Sequence, residues 1–230
     1  MKASAIIVAA GSGVRLGSNV PKAFVKIAGR TMLSYSLATI RQIDSIEELV
    51  IAVPEGFENA ARAEVAAAGL SIPVKIAVGG IERQDSVRIA LELTSAESDL
   101  VIVHDAARPL ATAAIFDACL SAASRAGAAI AAIPVSDTLK RVTDSTITAT
   151  TARAGLWQAQ TPQAFRRAVL VAAHQRAVSE KIAATDDADL VERTSARVEV
   201  VEASTSNIKI TTPADLAIVE AIIAAQSLSR

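Results

Sequence analysis

Aromatic side chains are scarce in this 230-residue chain, in which phenylalanine, tryptophan and tyrosine together make up 3% of the residues. Hydrophobic residues nevertheless account for 51% of the chain. The core therefore has to be built mainly from alanine, valine, isoleucine and leucine. A chain of this length can bury a sizeable core in one α/β unit, and we expect residues 1–230 to form a single domain.

Cysteines, basic clusters and long apolar segments are missing as well. The single cysteine, Cys119, excludes an internal disulfide and a zinc site built from several cysteines. The formal net charge is −1 and no basic block stands out, which argues against a nucleic-acid partner. No apolar run approaches the roughly 20 residues that span a bilayer, and the N-terminus lacks the pattern of a signal peptide. We expect a soluble, cytoplasmic protein that binds no membrane.

Short apolar runs alternate with alanine-rich segments of helical spacing. The runs are SAIIVAA, ELVIAV, PVKIAV, DLVIVH, AAIAAI and RVEVVE. The main predicted helices cover residues 31–42, 57–69, 84–93, 112–127 and 162–178, an aspartate-capped helix follows in ATDDADLVE, and a last helix starts at Pro213. Thr112 is a predicted N-cap, and Gly69 and Gly127 are predicted C-caps. This alternation predicts an α/β fold with a mostly parallel sheet and helices on both faces.

Residues 136–157 interrupt the alternation. They are rich in threonine, and the turn TDST joins the segments TLKRV and TITAT, which predicts a β-hairpin arm. Because an isolated two-stranded hairpin is only marginally stable in water, we expect the arm to lie against another surface. A second subunit is the natural candidate.

A glycine-rich loop, AAGSGVRLG followed by PKAF, comes directly after the first predicted strand. Ligands of open α/β sheets bind at the carboxyl ends of the strands, and glycines let backbone N–H groups approach phosphate oxygens. Leu16 stands where a P-loop or a dinucleotide fingerprint requires its next glycine, so neither motif is present. Arg15 and Lys22 add two cations, which suit a polyphosphate. An ordinary strand-to-helix turn is the alternative interpretation.

The segment HDAARP, residues 104–109, follows the predicted strand DLVIV. Asp105 therefore falls at the carboxyl edge of the sheet, where one carboxylate can hold Mg²⁺ together with substrate phosphates and water. Arg108 could pair with Asp105 or with a substrate anion. A helix cap or a structural ion pair would also explain Asp105. We interpret His104 and His174 as structural residues.

The segment GGIERQDSV, residues 79–87, follows the strand PVKIAV. Backbone groups at its two glycines and the Ser86 hydroxyl could bind the edge of a nucleotide base. A β-to-α turn with Asp85 or Ser86 near the helix cap explains the same pattern.

Taken together, these motifs resemble the 2-C-methyl-D-erythritol 4-phosphate cytidylyltransferases of the non-mevalonate isoprenoid pathway. The matching segments, in chain order, are AAGSGVRLG with PKAF, GG with R and DSV, VHDAARP, PVSDTLKR, LWQAQTPQAF, TDDADLVE and NIKIT with PADL. The resemblance implies a Rossmann-like nucleotidyltransferase fold. It also implies transfer of CMP from CTP to methylerythritol phosphate, with release of pyrophosphate and with Mg²⁺ as cofactor.

The resemblance further implies roles for individual residues. Those implied for nucleotide binding are Ala9, Ala10, Gly11, Gly13, Gly80, Ser86 and Ala106. The implied catalytic cations are Arg15, Lys22 and Lys209, and the implied Mg²⁺ ligand is Asp105. Residues implied around the acceptor are Arg108, Thr138, Arg153 and Thr185, with Thr161 as a weaker candidate. In the resembled family the arm completes the partner's site, which makes residues 136–157 a dimerisation arm of a homodimer.

Ile81 departs from the resembled pattern, in which an aspartate often follows the two glycines. A polar contact from that side chain to the nucleotide is therefore absent, while recognition through the Gly80 backbone is still expected. Two other functions stay open: a ribitol 5-phosphate cytidylyltransferase, which differs in its acceptor, and a non-catalytic nucleotide-binding regulator. The sequence has a full set of charged residues that argues against the regulator, since sensing a nucleotide needs no such set: Arg15, Lys22, Asp105 and Lys209.

Overall fold

The structure is a computed structural model that describes residues 2–13 and 16–228. The strands are β1 (Ala3–Val8), β2 (Lys26–Ile27), β3 (Arg30–Thr31), β4 (Ile46–Val53), β5 (Val74–Val78), β6 (Leu100–Asp105), β7 (Ala128–Pro134), β8 (Leu139–Thr143), β9 (Thr146–Thr151), β10 (Trp157–Arg166) and β11 (Val198–Glu202). The helices are α1 (Met32–Ile40), α2 (Glu58–Ala68), α3 (Arg83–Glu92), α4 (Ala113–Ala126), α5 (Arg167–Glu180), α6 (Asp187–Glu192) and α7 (Pro213–Leu228), and Lys22–Phe24 forms a 3₁₀ helix.

A seven-stranded sheet forms the centre of the molecule, in the order β11-β7-β10-β6-β1-β4-β5. The pairs β1–β4, β1–β6, β4–β5 and β7–β11 are parallel. Strand β10 runs antiparallel to both of its neighbours, β6 and β7. The predicted α/β fold with a mostly parallel sheet is confirmed.

Successive side chains of a strand point to opposite faces of the sheet, and here both sets include apolar residues. Helices therefore pack on both faces. On one face, Ile7 and Ile51 pack in a core with α1, α2 and α4. On the other face, Ile6 and Val50 pack with α3, α5 and α6. Both cores consist largely of small and branched aliphatic side chains, as the composition predicts.

Helix termini agree with the predicted caps. Gly69 ends α2 in the left-handed conformation with φ 61°, and Gly127 follows α4. Thr112 occupies the N-cap of α4 in an extended conformation, although its side chain makes no capping hydrogen bond. Asp186 caps α6 by accepting a hydrogen bond from the Asp189 amide at 2.9 Å.

The predicted helix over residues 162–178 begins too early. Residues 162–166 belong to β10, and α5 begins only at Arg167. Ala164 and Phe165 are fully buried because β10 is inserted between β6 and β7, so that both faces of this segment are covered. A short apolar segment that is buried all round cannot be distinguished from a helix start by spacing alone.

Strands β8 and β9 form the predicted hairpin, a separate two-stranded sheet beside the central one. Asp144 and Ser145 make its turn with positive φ values of 47° and 63°, the conformation typical of tight hairpins. Val142 and Ile147 are 54% and 61% exposed on this arm. The hairpin is confirmed, and its contact with a second subunit stays a prediction.

A small third core attaches the C-terminal part of the chain. Ile210 and Val219 of the segment around α7 are buried against Ile27 and Met32. The Ile210 amide also donates to the Ala107 carbonyl at 2.9 Å, which brings Lys209 to the end of β6. Among the described helices, none has the length and apolar character that a membrane span requires.

Candidate active site

A cavity of about 290 Å³ lies at the carboxyl edge of the sheet. Its wall consists of the loops after β1, β5 and β6, the start of the 3₁₀ helix and the segment before α7. The lining residues are Val8, Ala9, Ala10, Gly11, Ser12, Gly13, Leu16, Lys22, Ala23, Gly80, Ile81, Glu82, Arg83, Ser86, Asp105, Ala106, Ala107, Lys209 and Thr211. The sheet register explains the meeting of these loops, because Val8 lies opposite Asp105 where β1 and β6 end.

The glycine-rich loop folds back so that Lys22 reaches the cavity. The Lys22 amide donates to the Gly11 carbonyl at 3.1 Å. Gly13 has φ +76°, an angle that strains other residues, and a Cβ there would make a tight contact 3.1 Å from the Lys22 nitrogen. Arg15, predicted as a second cation of this loop, lies outside the described residues.

The loop after β5 is closed by Ser86. The buried Ser86 hydroxyl accepts a hydrogen bond from the Gly80 amide at 3.1 Å and donates to the Glu82 carbonyl at 3.2 Å. Glu82 is the N-cap of α3, and Asp85 completes a capping box with it, so neither Asp85 nor Ser86 is the cap itself. Ser86 thus shapes the loop, and its contact with a base stays a prediction. Ile81 stands at the rim of the cavity, 98% exposed.

Asp105 lies at the base of the cavity between two cations. Its Oδ1 accepts from Arg83 Nε at 2.9 Å, and its Oδ2 accepts from Lys209 Nζ at 2.6 Å. Burial by itself would raise the pKa of Asp105, but the charges of Arg83 and Lys209 outweigh burial and hold that pKa well below its usual range. Asp105 is therefore an ionised carboxylate at neutral pH.

Arg83 continues this ion pair into the protein interior. Its Nη1 donates to Asp187 Oδ2 at 2.8 Å, and Asp187 Oδ1 lies 3.3 Å from His174 Nε2. Arg83 and Asp187 both fall in segments that carry the resemblance, but the sequence analysis assigned no role to either of them. A further sequence signal is the position of Arg83 directly before a predicted helix that follows a sheet-edge loop. The partner Asp187 is 104 residues away along the chain.

Thr161 and His104 form a buried chain of hydrogen bonds behind Asp105. The Asp105 amide donates to Thr161 Oγ1 at 3.0 Å, and Thr161 Oγ1 lies 3.1 Å from His104 Nδ1. His104 Nε2 donates to the Arg108 carbonyl at 3.2 Å, so this ring nitrogen carries a proton. Burial lowers the pKa of His104 to about 4. The histidine is thus a neutral structural support and lies outside the cavity wall.

The residues predicted around the acceptor do not line the cavity. Arg108 is buried and donates to the Asn207 carbonyl at 2.7 Å. Thr138, Arg153 and Thr185 are exposed, and Arg153 donates to the Ser136 carbonyl within its own arm. All the described residues predicted for nucleotide binding, catalysis and the metal do line it. The structure therefore brings one of the two predicted sets together.

The residues present fit a divalent cation that shares its ligands with a substrate. In the part of the chain that the structure describes, no group of three or more histidines, cysteines or acidic residues could hold a metal ion. Mg²⁺, however, commonly takes one or two protein carboxylates and completes its shell with phosphates and water. Asp105 offers one ionised carboxylate to the cavity, and its partner Lys209 has a side chain that is 40% exposed and can turn away.

Comparison with known proteins points to one family. A family model described as 2-C-methyl-D-erythritol 4-phosphate cytidylyltransferase matches residues 3–225. The protein of that name from Deinococcus radiodurans is 43% identical over 221 residues, which cover 96% of this chain and 89% of the relative. The one from Syntrophotalea carbinolica is 41% identical over 225 residues, 97% of each chain. The crystal structure of the Thermus thermophilus protein of that name matches with a TM-score of 0.81 at 36% identity, covering 96% of this chain and 98% of that one.

Proposed function

The chain belongs to the 2-C-methyl-D-erythritol 4-phosphate cytidylyltransferase family, and from this premise we propose how its residues transfer a cytidylyl group from CTP to methylerythritol phosphate in isoprenoid biosynthesis. The observation that carries the proposal is the cavity at the ends of β1, β5 and β6, where a glycine-rich loop, Lys22 and the ionised Asp105 meet.

The reaction needs no general base. The attacking group is a phosphate monoester, whose second pKa is about 6, so it is already anionic at neutral pH. Two anions have to approach each other, and negative charge gathers on the leaving pyrophosphate. Catalysis therefore rests on positioning and electrostatic stabilisation, as in phosphoryl transfer generally. This agrees with a site in which the nearby histidine, His104, is buried and neutral.

The triphosphate of CTP is held by the glycine-rich loop and its cations. Backbone N–H groups of residues 9–13 approach the phosphate oxygens, and Lys22 stabilises the charge on the α-phosphate and the leaving group. Arg15 is expected to act beside Lys22. The nucleoside lies between the loop of Gly80 and Ser86 and the backbone of Ala106.

Lys209 changes partner during the reaction. In this structure its ammonium group is paired with Asp105 Oδ2. When CTP binds, Lys209 would turn away from Asp105 Oδ2 and leave that atom free, and its ammonium group would then screen the phosphate of the incoming acceptor. Bound Mg²⁺ supplies positive charge that neutralises and orients the triphosphate. Asp105 is the protein residue that would hold it.

The acceptor side of the site is completed by the arm of a second subunit. Arg108, Thr138 and Thr185 are expected to surround the acceptor, and Arg153 to reach the partner's site from residues 136–157. The exposed apolar side chains of the arm support this assembly, since they lie on a hairpin that has no core of its own. The working form is then a cytoplasmic homodimer of single-domain subunits.

Acceptor choice tests the proposal. Pyrophosphate release is measured with CTP and Mg²⁺ against a panel of polyol phosphates that includes methylerythritol phosphate and ribitol 5-phosphate. We expect kcat/KM for methylerythritol phosphate to exceed that for ribitol 5-phosphate by about 100-fold or more. A preference for ribitol 5-phosphate would show that this compound is the acceptor instead. Nucleotide binding without pyrophosphate release, whichever acceptor is added, would indicate a regulator.

The role of Asp105 is tested by Asp105→Asn, which keeps the shape of the side chain and removes its charge. We expect the variant to need much more Mg²⁺ for half-maximal activity, or to be inactive, because a neutral amide is a poor ligand for this ion. Asp117→Asn, on the exposed surface of α4, is the matched control and should titrate like the wild type. An unchanged Mg²⁺ titration of Asp105→Asn would show that Asp105 is structural.

A further inference from the structure

Arg83 joins two carboxylates that come from distant parts of the chain. It lies in the first turn of α3, between Asp105 at the end of β6 and Asp187 at the start of α6. The Asp105 and Asp187 side chains are 8% and 1% exposed. A buried carboxylate that is ionised destabilises the fold unless a cation pairs with it. Arginine suits this place because its planar fork donates separate N–H groups to two acceptors, which a lysine cannot do in the same geometry.

Asp187 is held firmly on its far side. His174 of α5 contacts its second oxygen. The first turn of α6 is also fixed to β10, since Gln163 Nε2 donates to Asp186 Oδ2 at 2.8 Å and the Ala188 amide donates to Gln163 Oε1 at 3.2 Å. Arg83 is therefore anchored on a group that cannot follow a movement of Asp105.

The two cations on Asp105 differ in how firmly they are held. Both side chains line the cavity, but Arg83 is 23% exposed and tied to a buried second carboxylate, whereas the Lys209 side chain is 40% exposed. Any ligand that reaches Asp105 will consequently displace Lys209 from Oδ2 and leave Arg83 on Oδ1. The position of Arg83 thus decides which oxygen of Asp105 serves the reaction.

We propose that Arg83, held from behind by Asp187, is a positioning residue that fixes Asp105 and directs its Oδ2 to the cavity. The inference rests on the role of Asp105 in the proposed function. Asp187 does not line the cavity, so its influence on catalysis passes through Arg83 and Asp105.

The test measures kcat and KM for CTP in Arg83→Lys and Asp187→Asn. We expect each to lower kcat about tenfold, and KM for CTP to stay within about twofold in Asp187→Asn, because Asp187 lies outside the cavity wall. Arg88→Lys, on the same helix and paired with Glu92, and Glu192→Gln, on the exposed side of α6, are the controls and should match the wild type.

A double-mutant cycle separates positioning from a general structural effect. In the Asp105→Asn background, Asp187→Asn should lower kcat by less than about twofold, because the residue through which it acts has already lost its charge. Independent effects that multiply would overturn the inference, and so would a wild-type kcat in Asp187→Asn or in Arg83→Lys. Using both variants keeps the test decisive if one of them does not fold.

A second readout does not depend on turnover. Binding of Mn²⁺ in the presence of CTP, followed by electron paramagnetic resonance, should weaken about tenfold in Asp187→Asn and remain unchanged in Glu192→Gln. Unchanged Mn²⁺ binding in Asp187→Asn would count against the inference. A protein that shows the expected Mn²⁺ behaviour but transfers nothing to any acceptor would refute the proposed function and leave the positioning inference standing.

Discussion

The charged residues of the cavity are positioned by backbone as much as by ion pairs. Lys22 begins a 3₁₀ helix, and its amide donates a hydrogen bond to the Gly11 carbonyl. These contacts hold the Lys22 backbone next to the glycine-rich loop. A lysine whose backbone is held in this way needs less reorganisation as charge develops on a bound phosphate. Such preorganised contacts contribute more to the transition state than to binding of the substrate.

Lys22→Ala should therefore lower kcat by about 100-fold while KM for CTP changes far less. Steady-state kinetics with CTP and methylerythritol phosphate measure both constants. Lys26→Ala, four residues further on and outside the cavity wall, removes the same charge and should have no such effect. A kcat within about threefold of the wild type would remove Lys22 from the mechanism.

Another buried carboxylate, Glu48, lies at the opposite edge of the sheet. Glu48 Oε1 accepts from Ser4 Oγ at 2.6 Å, and Oε2 lies 3.2 Å from Lys75 Nζ. Burial by itself would raise the pKa of Glu48, but hydrogen bonds from Ser4 and the Ser95 amide, together with Lys75, lower it below its ordinary value of 4.5. Because the folded state has the lower pKa, this group stabilises the fold above pH 4.5, and the contribution is lost as the pH falls through the folded-state pKa.

Glu48→Gln should consequently lower the free energy of unfolding most at neutral pH, and the difference from the wild type should shrink as the pH falls below about 4.5. Urea denaturation at a series of pH values measures this difference. Glu47→Gln is the neighbouring control, since Glu47 forms an exposed ion pair with Lys2 and such pairs contribute little. A difference that does not depend on pH would show that the Glu48 charge has no part in stability.

At the scale of elements, two loops approach so closely that a glycine is required between them. A Cβ on Gly79 would lie 2.5 Å from the Ala10 side chain and 2.8 Å from Ser86 Oγ. The loops after β5 and β1 are therefore in close contact. The shape of the cavity where we propose that the nucleotide binds depends on the distance between them.

Gly79→Ala should push these loops apart and raise KM for CTP about tenfold or more, since misplacements near 1 Å at a site are costly. Gly69→Ala is the matched control: it strains a left-handed helix end far from the cavity and should lower stability by about 1 kcal/mol without changing KM. Equal KM values for Gly79→Ala and the wild type would contradict the close approach of the loops.

At the scale of the whole molecule, the hairpin arm decides whether the site is complete in one chain. Arg153 lies on the arm and outside the cavity wall of its own chain. A two-fold dimer would let each arm reach the other subunit reciprocally.

Mixing two inactive variants, Lys22→Ala and Arg153→Ala, tests this exchange. If Arg153 acts across the interface, each mixed dimer has one site without either residue and one site with both. Random mixing makes about half of the dimers mixed, so activity should return to roughly a quarter of all sites. If the mixture stays inactive although subunit exchange is demonstrated by mass or by labels, Arg153 acts within its own chain and the shared site is wrong.

The sequence by itself determined the fold class and the meeting of its motifs at one edge of the sheet. Strand and helix periodicity are local, and motifs that follow buried strands must gather at one edge of a parallel sheet. The glycine-rich loop, Lys22 and Asp105 were placed together on this ground. The hairpin arm was predictable too, because its turn and its lack of core residues are local features.

Only the tertiary structure decided that residues 162–166 form a strand and that Arg83 bridges Asp105 and Asp187. The first depends on insertion of β10 between two other strands, which buries a segment that by itself resembles the start of a helix. The second joins side chains that lie 22 and 104 residues apart. Neither has a periodic signal, because strand insertion and ion pairing over such separations are set by how the whole chain packs, and no local pattern records that packing.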